Sequence, residues 1–199
     1  YTFNRLTGEP VWPIEDRPVP PSIVPGEVLS PTQPHVTWPE PYSLQGISEE
    51  DLLDFTPELK EQSLAAMEDY VMGGLFNPPI HADNPMGKYA AMNCPGGAGG
   101  VNITSPPVAD PVNNVFYLSE HTACFALRLI PGEEADLLFP NSTGSTTAQY
   151  ANGVPGATAR PPRHPSGLPI WKPPYSTIVA YDMDTGEKKF TIPTGETPQ

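Results

Sequence analysis

The chain lacks any long apolar run. Nothing in its 199 residues approaches the length of about 18 consecutive apolar residues that a membrane-crossing helix needs, so no such helix is expected. Basic residues are scarce. Ten Lys and Arg stand against 23 Asp and Glu, a formal net charge of −13. A surface this acidic repels phosphate backbones, which argues against nucleic-acid binding. There are only two cysteines, Cys94 and Cys124, too few and too far apart for a zinc site. Two readings of them stay open: one disulfide in an oxidising compartment, or two buried thiols. No signal peptide is visible, which carries little weight in a sequence that opens on Tyr1 and not on Met. Because Tyr1-Thr2-Phe3 reads as the middle of a strand, the expectation is a piece cut from something longer.

Proline (29) and glycine (17) together make up close to a quarter of the residues, while aromatic and β-branched residues are spread throughout. This combination predicts a loop-rich, mostly β chain with proline-stiffened excursions. The most informative pattern is a repeat. Thr2-Phe3-Asn4-Arg5-Leu6-Thr7-Gly8-Glu9-Pro10-Val11-Trp12 aligns with Ala180-Tyr181-Asp182-Met183-Asp184-Thr185-Gly186-Glu187-Lys188-Lys189-Phe190. Turn acceptors (Asn4, Asp182), the Thr-Gly-Glu triplet and a closing aromatic (Trp12, Phe190) all coincide. An Asn or Asp side chain at the head of such a turn bonds amides two residues on, and the glycine takes the positive φ that the turn demands. Each copy is therefore predicted as a β-hairpin whose aromatic docks on a neighbouring sheet, the unit from which propeller blades are built.

A further hairpin is expected at Pro107–Leu118 around the turn Asp110-Pro111-Val112-Asn113-Asn114, followed by a strand over Thr122–Ile130. One helix is expected over 57–71, with Thr56 as N-cap, Pro57 at the first helical position, an apolar face of Leu59, Ala66, Met67, Tyr70 and Val71, and Gly73-Gly74 as its stop. A short turn boxed by Ser48 and Asp51 precedes it. Residues 13–47, with nine prolines, and residues 140–175 read as irregular. The fold class is accordingly all-β: a partial β-propeller across 1–199, with a helical, Pro-rich insertion over 13–106 and a Pro/Gly/Ser-rich loop over 140–175.

Several of these stretches, in order, resemble the glucose, polyol and quinate class of PQQ-dependent dehydrogenases: Phe3-Asn4-Arg5-Leu6-Thr7-Gly8-Glu9-Pro10, Pro18-Val19-Pro20, Ser30-Pro31-Thr32-Gln33-Pro34, Asp54-Phe55-Thr56-Pro57-Glu58-Leu59, Gly97-Ala98-Gly99-Gly100-Val101-Asn102, and Leu168-Pro169-Ile170-Trp171-Lys172-Pro173-Pro174-Tyr175. The repeat itself resembles that family's tryptophan-docking motif. The resemblance implies an eight-bladed propeller with PQQ near its axis, a calcium-type ion beside the quinone, a sugar, polyol or alcohol substrate, and ubiquinone or a cytochrome as electron acceptor. It also implies a periplasmic or other extracytoplasmic setting, with any membrane association residing in regions beyond this chain. The base and the quinone-contacting lysine of such enzymes lie upstream of the matching segment. No catalytic residue is therefore assigned here, and the rest of the propeller is an expected partner.

The glycine run Pro95-Gly96-Gly97-Ala98-Gly99-Gly100-Val101-Asn102 is the candidate cofactor contact. Gly100 lets backbone approach a flat ligand, and the resemblance places the Asn102 side chain toward the cofactor. Ile103 departs from the family's Trp at the next position. The plainer alternative is a glycine turn between blades. No phosphate-loop Lys follows the run. His35, His81, His121 and His164 lack ligand spacing and read as surface or loop residues, and no metal site is assigned. Glu49-Glu50-Asp51 and Glu133-Glu134 read as solvated charge, and Asn102-Ile103-Thr104 and Asn141-Ser142-Thr143 fit the short glycosylation pattern. Lys172, after a Trp expected to be exposed, is assigned a structural role. A non-catalytic propeller module for binding or assembly is the alternative to an enzyme fragment.

Overall fold

The computed structural model describes residues 1–96, 100, 106–131, 150–152 and 161–195. Among the described residues, thirteen short strands and one α-helix follow in order: β1 (Ile14–Pro18), β2 (Thr32–Val36), β3 (Gly46–Ile47), α1 (Pro57–Ala66), β4 (Tyr70–Val71), β5 (Gly73–Gly74), β6 (Ile80–His81), β7 (Ala90–Asn93), β8 (Val108–Asp110), β9 (Val115–His121), β10 (Phe125–Pro131), β11 (Tyr150–Asn152), β12 (Ser176–Asp182) and β13 (Lys188–Pro193). Strands β8, β9, β12 and β13 form one antiparallel four-stranded sheet in sequence order, the form of a propeller blade. A second sheet runs β11-β10-β7-β4, with β6 pairing to β10. In it β10 pairs antiparallel with β7 and β11 and parallel with β6, and β4 pairs parallel with β7.

The repeat read from the sequence recurs as geometry. In the C-terminal copy the Asp182 Oδ1 accepts from the amides of Asp184 and Thr185 at 3.0 and 3.3 Å. Asn4 Oδ1 accepts from Leu6 and Thr7 at 2.9 and 3.3 Å. The Gly186 amide donates to the Asp182 carbonyl at 2.7 Å, as Gly8 does to Asn4 at 2.7 Å. Both glycines sit at positive φ, +78° and +76°. The hairpin expected around Asp110–Asn114 is present, β8 pairing antiparallel with β9, and its turn repeats the same geometry a third time. Asp110 Oδ1 accepts from Val112 and Asn113, and Asn114 takes the left-handed position at φ 51°. Asparagine tolerates that conformation, so the glycine signature is absent while the turn is kept. The N-terminal hairpin is slighter than expected, closing through a single bridge between Phe3 and Pro10.

The docking aromatic is visible at the C-terminal turn. A Cβ on Gly186 would lie 2.2 Å from Trp38 Nε1 and 3.0 Å from Trp12 Cζ2, so both indoles are packed on that glycine. The Trp38 indole N–H donates to the Thr185 carbonyl at 2.8 Å. Nearby, the Tyr181 hydroxyl donates to the Glu40 carbonyl at 2.6 Å, and Lys188 pairs with Glu40 at 2.9 Å. Burial pushes the Tyr181 phenol far up from its ordinary value, with the Glu40 charge adding to the shift.

Three expectations need correction. The proline-rich stretch 13–47 is not wholly irregular, because β1 and β2 pair antiparallel from Ile14↔Val36 to Pro18↔Thr32. A two-stranded ribbon leaves each strand one unpaired edge, where a missing proline N–H costs nothing. The helix ends at Ala66 and not at 71: Tyr70 and Val71 pair with Ala90 and Ala91, and Gly73-Gly74 pairs with β3 where it was expected to stop the helix. The strand after β9 starts at Phe125, with Thr122–Cys124 forming a corner. The capping expectations hold: Thr56 Oγ1 accepts from the Leu59 amide at 3.3 Å, and Asp51 Oδ2 accepts from the Ser48 amide at 2.8 Å. The larger core gathers Ile47, Leu52, Met67, Met92, Ala126 and Ile170 around the Cys94–Cys124 disulfide. A smaller one, Leu118, Val179 and Tyr181, lies on the blade.

Candidate functional site

The glycine run follows Cys94, whose disulfide to Cys124 joins the end of β7 to the corner before β10. The Gly96 amide donates to the Ala123 carbonyl at 2.6 Å. A Cβ there would meet Phe125 Cγ at 2.7 Å, so this glycine is required by packing inside the protein. Gly100, at φ +70°, is buried and bridges to the last residue of β9. Its amide donates to the His121 carbonyl at 2.8 Å, and its carbonyl accepts from the His121 amide at 3.2 Å. Both backbone groups are thus committed. What Gly100 offers a ligand is close approach of bare backbone, not a hydrogen bond. Asn102, the other predicted contact, lies outside the described residues, as do Ile103 and the Asn102 and Asn141 glycosylation patterns.

The end of β9 holds a second feature that sequence reasoning missed. Along β9, Leu118 and Glu120 share the buried face. Glu120 is only 2% exposed, although it is ionisable. Its Oε1 accepts from Ser43 Oγ at 2.9 Å and from Thr122 Oγ1 at 3.0 Å, and its Oε2 accepts from Thr177 Oγ1 at 3.3 Å. These three hydroxyls come from the loop after β2, the corner after β9 and the start of β12. A buried carboxylate satisfied by neutral hydroxyls ties three segments together. The signal was present in the alternation of the strand, where a charged residue occupies an apolar-face position. Glu120 lines a cleft of about 320 Å³ together with Tyr42, Lys172, Pro174, Lys188 and Thr191.

The remaining predicted residues scatter. His164 is buried, its ring nitrogens near Ser166 Oγ at 2.7 Å and the Leu59 carbonyl at 3.3 Å. His81 is buried in β6, with Nδ1 accepting from the Asp83 amide at 3.2 Å, so it is neither a surface nor a loop residue. His35 packs edge-on against Phe76, and His121 is exposed. Glu49 and Glu50 are exposed, whereas Glu133 and Glu134 lie outside the described residues. Trp171, expected to be exposed, is buried: it bridges to Leu52 and joins the larger core. Lys172 then points back to Asp54, with Nζ 3.0 Å from Oδ2. Among the described residues no group of three His, Cys, Asp or Glu side chains converges as metal ligands would.

The comparisons with known proteins agree with this architecture. The model of the PQQ family described as glucose/ethanol/alcohol dehydrogenase, beta-propeller domain, matches residues 1–199. The quinate/shikimate dehydrogenase (quinone) of Acinetobacter baylyi is 24% identical over 98% of this chain and 24% of its own length. The glycerol dehydrogenase large subunit of Gluconobacter thailandicus is 28% identical over 94% of this chain and 26% of its own. The probable quinate dehydrogenase (quinone) of Xanthomonas campestris pv. juglandis is 26% identical over 98% of this chain and 24% of its own. The chain thus spans about a quarter of the length of the curated relatives it matches. No solved structure matches it.

Proposed function

Since the chain belongs to the PQQ glucose/ethanol/alcohol dehydrogenase β-propeller family, we propose that the whole protein oxidises the hydroxyl groups of a sugar, polyol or alcohol and hands the electrons to a quinone or cytochrome. The observation that carries this reading is the blade β8-β9-β12-β13, whose closing turn is packed under Trp12 and Trp38 at Gly186, combined with a family match over the full chain. When bound, PQQ supplies a redox-active quinone that accepts the two electrons of an alcohol-to-carbonyl oxidation, and the protein positions the reactants.

The part we assign to this chain is scaffolding. Its blade supports the glycine run at the end of β9, and Gly100 keeps side-chain bulk away from a flat ligand. With both Gly100 backbone groups already bonded, Asn102 is left as the proposed polar contact with the cofactor. The calcium-type ion and its ligands are proposed to belong to other parts of the propeller, as is the catalytic base. An extracytoplasmic, periplasmic location is part of the same proposal, and the Cys94–Cys124 disulfide supports it, because such bonds persist in oxidising compartments.

The test is a PQQ-dependent dye-reduction assay on the full-length protein with glycerol, quinate and glucose offered in turn. Turnover of at least one of them that disappears without PQQ is the expected outcome. Absence of turnover in fully PQQ-loaded protein, with these and with simple alcohols, would favour the non-catalytic module.

A further inference from the structure

The buried network around Glu120 reaches the Gly100 turn through a single residue, His121. We propose that Glu120 is a positioning residue for the cofactor-facing turn: together with Thr122 it fixes the backbone of His121, and His121 fixes Gly100. The inference rests on the reading that this turn faces PQQ.

The end of β9 sets the arrangement. Glu120 and Thr122 are buried, 2% and 9% exposed, while the His121 side chain between them is exposed. This is the alternation of extended backbone. One edge of β9 pairs with β12, where Ser176 stands opposite His121. On the other edge β8 pairs from Val115 to Tyr117. Farther along that second edge stands Gly100, which exchanges two hydrogen bonds with His121, at 2.8 and 3.2 Å. A displacement of the His121 backbone is therefore passed directly to Gly100.

His121 is held by the residues on either side of it. Thr122 Oγ1 donates to Glu120 Oε1 at 3.0 Å, closing a ring across His121, with the Pro174 carbonyl 3.3 Å away. The Thr122 amide donates to the Tyr175 carbonyl at 2.9 Å, and the Glu120 carbonyl accepts from Ser176 Oγ at 2.8 Å. Ser43 and Thr177 donate to the two oxygens of the same carboxylate. Hydrogen bonds to an ionised acceptor are about twice as strong as neutral ones, so the closure is stiff. Stability alone does not call for a carboxylate here, because well-packed apolar residues of similar volume often serve a core as well as buried charge does. A buried carboxylate that needs the hydroxyls of residues 43, 122 and 177 instead selects one arrangement of the corner, and that corner carries Gly100.

The experiment compares full-length wild type with Thr122→Val, Thr122→Ser, Glu120→Ala and Ser63→Ala. Ser63→Ala is the stability control: it removes another buried hydroxyl bond, from α1 to the Leu53 carbonyl at 2.9 Å. Two quantities are read: hydrogen exchange at the Gly100 amide without PQQ, by site-resolved mass spectrometry, and PQQ affinity in the presence of calcium, from the quinone absorbance. In Thr122→Val, Gly100 should exchange roughly tenfold faster and PQQ should bind roughly three- to tenfold more weakly. Thr122→Ser keeps the hydroxyl and should restore both values. Ser63→Ala should match wild type in both, although urea unfolding shows it destabilised to an extent comparable with Thr122→Val. Glu120→Ala should exceed Thr122→Val in both; if it does not fold, the near-isosteric Thr122→Val decides alone. With PQQ bound by wild type, unchanged Gly100 exchange or unchanged affinity in Thr122→Val, or an equal weakening in Ser63→Ala, overturns the inference by itself. A wild type that binds no PQQ overturns the cofactor reading and the inference with it.

Discussion

At the scale of single residues, Gly8 and Gly186 form a natural pair of controls. Both have φ near +77°, so an alanine at either position meets the same left-handed strain of about 1–2 kcal/mol. They differ in surroundings. Nothing lies within 4 Å of a Cβ on Gly8, whereas a Cβ on Gly186 would strike the Trp38 indole at 2.2 Å. Gly186→Ala should therefore destabilise the protein by about 1–3 kcal/mol more than Gly8→Ala, read from urea unfolding. Equal losses would mean that the indoles are not held on that turn. The turn aspartates supply a pH test. The Asn113 side chain is the main cause holding the Asp110 carboxyl below its ordinary range, and the Asp184 amide is that for Asp182. A carboxyl depressed in the folded state stabilises it above the unfolded pKa, and that contribution is lost as pH falls through the folded value. Carbon-13 titration should show both groups protonating later on acidification than free aspartate, while the Asn4 turn, which has no such group, does not respond. Ordinary midpoints for both would remove the account of how these turns are held.

At the scale of elements, what was legible in the sequence was local. The Asn4 and Asp182 turns, the Thr56 cap, the Ser48–Asp51 box and the hairpin β12–β13 depend on residues within a few positions of one another, and they were predicted from spacing alone. What was missed depends on partners far along the chain. Tyr70 and Val71 read as helix until β7, some twenty residues later, supplies an edge for them to pair with. Trp171 read as exposed because its neighbours are prolines, yet Leu52 and the larger core bury it. Glu120 was passed over because its hydroxyl partners come from positions 43, 122 and 177. The two readings of the cysteines were likewise settled only in three dimensions, where Cys94 and Cys124 form a disulfide that closes a loop of 30 residues. In the chain-entropy picture such a loop contributes about 3–4 kcal/mol. Replacing both cysteines by alanine should lower stability on that scale, and a loss below about 1 kcal/mol would show that the core around them holds the corner unaided.

At the scale of the whole molecule, the chain is a blade with its neighbours implied. Phe190 is the repeat counterpart of Trp12 but is 40% exposed, and Ile192 beside it on the outer strand β13 is 52% exposed. Strands β8 and β13 are both sheet edges. Open edges and bare apolar faces promote association, so residues 1–199 expressed alone should be poorly soluble despite their net charge of −13. A monomeric fragment with a cooperative unfolding transition would contradict that.

The central claim, that this chain is part of a PQQ-binding propeller and presents the turn at Gly100 and Asn102 to the cofactor, is tested most directly by titrating PQQ with calcium into the full-length protein and following the quinone absorbance. Saturable binding is the predicted result. It should be weakened severalfold in Asn102→Ala, since one neutral hydrogen bond contributes about 0.5–1.5 kcal/mol, and be unchanged in His121→Ala. Failure of the wild type to bind PQQ, or an Asn102→Ala protein that binds it as tightly as wild type, would contradict the account.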